Sequence, residues 1–152
     1  MTIRGVVALA AVFASWPAGA AEPIALANRV YVEREVATED GRARVLEPAS
    51  VLRRGDRLVY VVSWTAARAR GERFTITNPL PRAVAYQRSA NGAEQVSVDG
   101  GRTWGKLAAL RVRDRGGWRD ATAEDVTHVR WQVPARLAMA GKGKLTWSAI
   151  VR

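Results

Sequence analysis

The chain has 152 residues, with 24 Lys+Arg against 14 Asp+Glu for a net charge of +10, 48% hydrophobic residues and no cysteine. This is globular composition, and it excludes collagen-like, low-complexity and wholly disordered chains. The missing cysteine excludes disulfides, zinc-cysteine clusters and cysteine nucleophiles.

The segment 1–20 reads as a signal peptide. Arg4 gives a short charged start, and an apolar run follows from Gly5 to Trp16. Pro17 breaks that run, and Ala18-Gly19-Ala20 supplies the small-x-small pattern of a signal-peptidase site. The run falls well short of the length of about 20 that a bilayer-crossing helix needs. Cleavage after Ala20 is therefore expected, with no membrane span afterwards, and a retained N-terminal anchor is the weaker alternative. The segment holds one Arg and no acid, so its loss lowers the net charge by one. A chain of about 130 residues buries roughly two-thirds of its unfolded surface, enough for one core without disulfides.

Residues 21–28 show no period and read as a leader. From residue 29 onward Val30, Val32 and Val36 alternate with Tyr31, Glu33 and Glu35, the two-residue period of a half-exposed strand. Asp40-Gly41 predicts a hairpin turn, and the returning strand covers residues 43–47 until Pro48 stops it. Arg54-Gly55-Asp56 predicts a turn that opens the clearest strand, 57–65, with Leu58, Tyr60, Val62 and Trp64 on one face. An arginine-rich loop, 66–72, leads to a strand at 73–77 in which Phe74 and Ile76 point together. Asn78-Pro79-Leu80-Pro81 ends that strand, because each proline removes a ladder donor. A strand at 82–89 carries Val84 and Tyr86, and Asn91-Gly92 predicts a second hairpin, into 94–98.

Asp99-Gly100-Gly101 turns the chain into a strand at 102–107, and residues 110–113 continue extended with Arg111 and Arg113 outward. Residues 114–125, with Gly116-Gly117, Trp118 and four acidic residues, read as an irregular loop. In the strand at 126–133, Val129, Trp131 and Val133 point inward and His128, Arg130 and Gln132 outward, until Pro134 stops it. Residues 135–144 are a connection with room for one helical turn at 136–139, and 145–152 closes the chain with Leu145, Trp147, Ala149 and Val151 on one face. These short strands predict an all-β fold, an antiparallel β-sandwich of about 7–9 strands forming a single domain over 29–152. Its tryptophans are core material first, and Trp118 alone is placed outside.

The run Val51-Leu52-Arg53-Arg54-Gly55-Asp56-Arg57-Leu58-Val59-Tyr60-Val61-Val62, followed by Thr77-Asn78-Pro79-Leu80-Pro81, resembles the bacterial conserved repeat domain, domain of unknown function 11. The closing strands at 126–131 and 145–151 are similar to that family as well. Arg54 stands where the family has Pro, and the Asn that follows the family's Tyr strand has no counterpart near Thr65. The resemblance implies an immunoglobulin-like sandwich in exported or surface proteins, and it carries no catalytic residues over. A second stretch, 97–104, is similar to the Asp-box of sialidase-type propellers at Ser97, Asp99, Gly101, Thr103 and Trp104. One box in a chain this short is too few, since a propeller needs four or more blades of roughly 40 residues each. A structural hairpin is expected instead, with Asp99 accepting turn N–H groups, Gly101 supplying a positive φ and Trp104 covering the apolar side.

Gly55 and Asp56 sit in a tripeptide that spells an integrin ligand, yet a strand-opening turn needs the same residues, and the turn reading is preferred. His128 is the single histidine, which removes a His-based metal site, and no Gly-x-Ser-x-Gly offers a nucleophile elbow. Asp120, Glu124 and Asp125 lack the spacing of a calcium loop. No catalytic residue, no cofactor and no metal is expected. Of the 24 basic residues 21 are Arg, spread along the chain without a nucleic-acid motif, so the expected partner is another envelope protein or an anionic glycan surface and not nucleic acid. The expected function is an exported, non-enzymatic module of the bacterial cell envelope, periplasmic or at the surface, with a structural or protein-binding role. The alternative is a carbohydrate-binding or glycan-associated protein with Trp118 in contact with the ligand.

Overall fold

The computed structural model describes residues 24–66 and 72–152. The segment read as a signal peptide, 1–20, and most of the arginine-rich loop lie outside the described residues. The strands are β1 (Ile24–Thr38), β2 (Gly41–Pro48), β3 (Arg57–Ala66), β4 (Phe74–Pro79), β5 (Val84–Ser89), β6 (Gln95–Ser97), β7 (Arg111–Asp114), β8 (Gly117–Asp120), β9 (His128–Val133) and β10 (Lys142–Val151). A single helical turn, α1 (Ala135–Ala138), precedes β10. A five-stranded sheet in the order β2-β1-β3-β10-β5 faces a three-stranded sheet in the order β4-β9-β6, and β7 and β8 form a hairpin of their own. Every pairing is antiparallel, and the fold is an all-β sandwich.

The core forms where the alternating strands meet. Leu58, Tyr60, Val62 and Trp64 of β3 are buried against Val129, Trp131 and Val133 of β9. Burying such a side chain stabilises the fold by about 1.5–3 kcal/mol. Tyr60 stacks on Trp147 of β10, with ring centroids 4.0 Å apart and planes 8° from parallel. Trp131 donates through Nε1 to Ser89 Oγ at 3.3 Å. Ser89 faces the core because a bulge between β5 and β10, at Ser148 and Ala149, shifts the side-chain phase beyond Tyr86. On the outer face of the larger sheet several arginines are cross-strand partners. Glu33 lies 3.3 Å from Arg57 and 3.6 Å from Arg44, and Glu35 lies 3.4 Å from Arg42.

Several connections differ from their sequence reading. Residues 24–28, read as part of a leader, begin β1: Ile24 pairs with Ala66 and Asn28 with Val62, so β3 supplies the hydrogen bonds that an aperiodic apolar run did not advertise. Asn91-Gly92 is a turn without being a hairpin, since β5 and β6 lie in different sheets and the turn carries the chain across the sandwich. In place of a strand at 102–107 there is one bridge, Val96 to Gly105, and then a 3₁₀ turn at Leu107–Ala109. Residues 114–125 hold β8 and a 3₁₀ turn at Ala123–Asp125, because the Asp114 carboxylate accepts the Gly116 N–H at 2.8 Å and closes the β7–β8 turn. Lys142, Gly143 and Lys144 belong to β10, not to the preceding connection.

Candidate functional site

The residues of the 97–104 turn converge on one carboxylate. Ser97, fully buried at the end of β6, donates through Oγ to Asp99 Oδ1 at 2.7 Å and accepts the Gly101 N–H at 2.8 Å. Asp99 Oδ1 also accepts the N–H groups of Thr103 at 2.9 Å and Arg102 at 3.0 Å, while Oδ2 accepts the Thr103 hydroxyl at 2.7 Å. Gly101 takes a φ of +90°, and Trp104 Nε1 donates to its carbonyl at 2.9 Å. The backbone and hydroxyl of Thr103, with the Ser97 hydroxyl, hold the Asp99 carboxyl well below the usual carboxylate range. A carboxylate engaged in this way closes a turn and stays ionised.

Trp104 lies outside the core, half-buried on the outer face of the three-stranded sheet, a correction to the expectation that Trp118 alone does so. Its ring stands over Arg130, whose Cζ is 4.4 Å from the ring centroid, and edge-on to His128. His128 itself brings Nδ1 within 3.0 Å of Thr127 Oγ1.

Gly55 and Asp56 form the strand-opening turn. Gly55 has a φ of +88° and donates its N–H to Val151 O at 2.8 Å. Asp56 accepts the Arg53 N–H at 2.7 Å and both arms of Arg34, at 2.5 and 3.1 Å, so the turn is tied to β1 and to the last strand. The Arg34 hydrogen bond holds the Asp56 carboxyl below its ordinary value.

The β7–β8 hairpin stands beside the 97–104 turn, and between them lies a cleft of about 540 Å³. That volume is within the range of small-molecule sites. Asp99 and Thr103 line it from the turn; Arg111, Arg113 and Trp118 line it from the hairpin. Arg113 pairs directly with Trp118 across the hairpin and Arg111 with Asp120, so the four side chains share one face. Trp118 is 62% exposed. Arg111 is anchored, its Nη2 donating to Trp118 O at 3.2 Å and its Nε lying 3.7 Å from Asp120. From the opposite face Arg119 clamps the hairpin, donating to Asp114 at 2.8 Å and through both arms to Asp125 at 2.7 and 2.8 Å. Of the acidic residues weighed as calcium ligands, Asp125 is engaged by Arg119 and Thr122, and Asp120 by Arg111. Among the described residues no three His, Asp or Glu converge as a metal site, and no helix is long and apolar enough to cross a membrane.

No protein-family model, curated protein or solved structure matches this chain.

Two features escaped the sequence reading. The first is the meeting of Trp118 with Asp99 and Thr103 at one cleft, brought about by the β7–β8 turn, for which Asp114 and Gly116-Gly117 were the available sequence signal. The second lies inside the sandwich, where the Tyr86 hydroxyl donates to Glu94 Oε1 at 2.6 Å. Burial, with Glu94 beside it, pushes the Tyr86 hydroxyl pKa up. Burial also works to raise Glu94, but the Tyr86 hydrogen bond and its other partners outweigh it and hold that carboxyl low.

A further surface is a strand edge. β1 pairs with β3 over Ile24 to Glu33 but with β2 only over Tyr31 to Thr38. Among the described residues, 24–29 thus have a strand neighbour on one side alone; all six are exposed, and Leu26 is 57% exposed.

Proposed function

We propose that the protein is an exported, non-enzymatic β-sandwich module of the bacterial cell envelope, and that it binds a protein partner by strand addition at the open half of β1. The observation that carries this reading is the direction of the free backbone groups. Val30 O accepts the Ala49 N–H at 3.2 Å, on the side away from β3. Alternation then turns the N–H and C=O groups of Ile24, Leu26 and Asn28 the same way, where no described strand meets them. An extended peptide there gains main-chain hydrogen bonds and covers Leu26. Export is supported by the pattern of residues 1–20 and by the resemblance of 51–62 to a domain of exported proteins.

Leu26→Pro tests the edge. It deletes a donor that points away from β3, so the sandwich stays folded while the added strand loses a bond. In capture from an envelope fraction, the parent is expected to retain a partner at both low and high salt, and Leu26→Pro to lose it with an unchanged melting temperature. A partner that stays on Leu26→Pro overturns strand addition.

A second reading, a carbohydrate-binding or glycan-associated envelope protein, is favoured by one observation: Trp118 is exposed beside the cleft and not in the core.

A further inference from the structure

We propose that the cleft between the 97–104 turn and the β7–β8 hairpin binds an acidic sugar ring, of the uronate class, within an oligosaccharide. This deepens the glycan reading above and rests on it.

Three chemistries meet in the cleft. Trp118 offers an exposed aromatic face for the C–H side of a sugar ring. Arg113, directly across the hairpin from Trp118, has no ion-pair partner among the described residues, and its planar guanidinium matches a carboxylate with two parallel hydrogen bonds. Arg111 adds positive charge on the same face, although Asp120 takes up part of it. On the turn side, the Thr103 hydroxyl donates to Asp99 and its oxygen keeps acceptor capacity for a sugar hydroxyl. Asp99 stays ionised, so its charge repels a second anion at that end and directs the ligand's carboxylate toward Arg113. The same asymmetry disfavours a nucleic-acid strand, which carries a charge on every phosphate past Asp99.

Isothermal titration of the protein with an oligogalacturonate, a neutral oligosaccharide of equal length and an oligothymidylate tests the assignment, in the parent, Trp118→Ala and Arg113→Ala. Both side chains are exposed, and an unchanged melting temperature verifies folding. The acidic oligosaccharide is expected to bind the parent at least tenfold more tightly than the neutral one. Each substitution is expected to weaken acidic binding at least tenfold, and Arg113→Ala to weaken acidic binding severalfold more than neutral binding. Equal affinity for acidic and neutral chains, with a loss in Trp118→Ala alone, overturns the uronate class and leaves the glycan reading standing. No binding of either oligosaccharide at millimolar concentration overturns both. Tighter binding of oligothymidylate overturns the assignment in favour of nucleic acid.

Discussion

Gly143 shows what a single residue decides in this fold. A Cβ placed there would come 1.9 Å from Trp64 Cζ2 and 2.2 Å from Cη2, and Trp64 is buried. The alternation of Leu58, Tyr60, Val62 and Trp64 was legible in the sequence; that Trp64 lies across Gly143 was not, because the register of β3 with β10 joins positions far apart in the chain. Gly143→Ala is therefore expected to destabilise the protein by about 3 kcal/mol, through overpacking. Urea unfolding reads this as a lower midpoint at an unchanged slope.

Among the elements, the β7–β8 hairpin depends on a few polar contacts. Its link to the rest of the chain includes Arg119, whose guanidinium reaches Asp114 within the hairpin and Asp125 beyond it. Asp125→Ala is expected to raise amide hydrogen exchange across Arg111–Asp114 and Gly117–Asp120 while leaving β3 and β9 protected, because local opening needs only these contacts to break. Equal acceleration in the core strands would show that Asp125 supports the whole sandwich. The turn at 97–104 was largely legible, since its bonds run between residues within a few positions of one another. The hairpin was not, because six charged side chains and a lone tryptophan hid a two-residue turn.

For the molecule as a whole, acid is the condition that reaches the most contacts at once. Asp56, Asp99, Asp114 and Asp125 are each held below the ordinary carboxylate value, Asp56 and Asp125 chiefly by Arg partners and Asp99 and Asp114 chiefly by backbone N–H groups. A carboxylate whose folded pKa lies below its unfolded value of about 3.9 stabilises the fold above that pH, and the contribution disappears as pH falls through the folded value. The melting temperature is expected to hold between pH 7 and 5 and to fall steadily below about pH 4. A melting temperature that rises on acidification from pH 4 to 2 would contradict these assignments.

By itself the sequence determined the all-β class, the inward faces of β3, β9 and β10, and the turns at Gly55-Asp56 and Asp99-Gly101, since period and turn chemistry are written in neighbouring residues. Only the tertiary structure decided which strands pair, that β1 includes residues 24–28, that the chain crosses between sheets at Asn91-Gly92, and that Trp118 shares a cleft with Asp99. Those outcomes depend on contacts between distant positions, and a two-residue period is silent about which strand lies beside which.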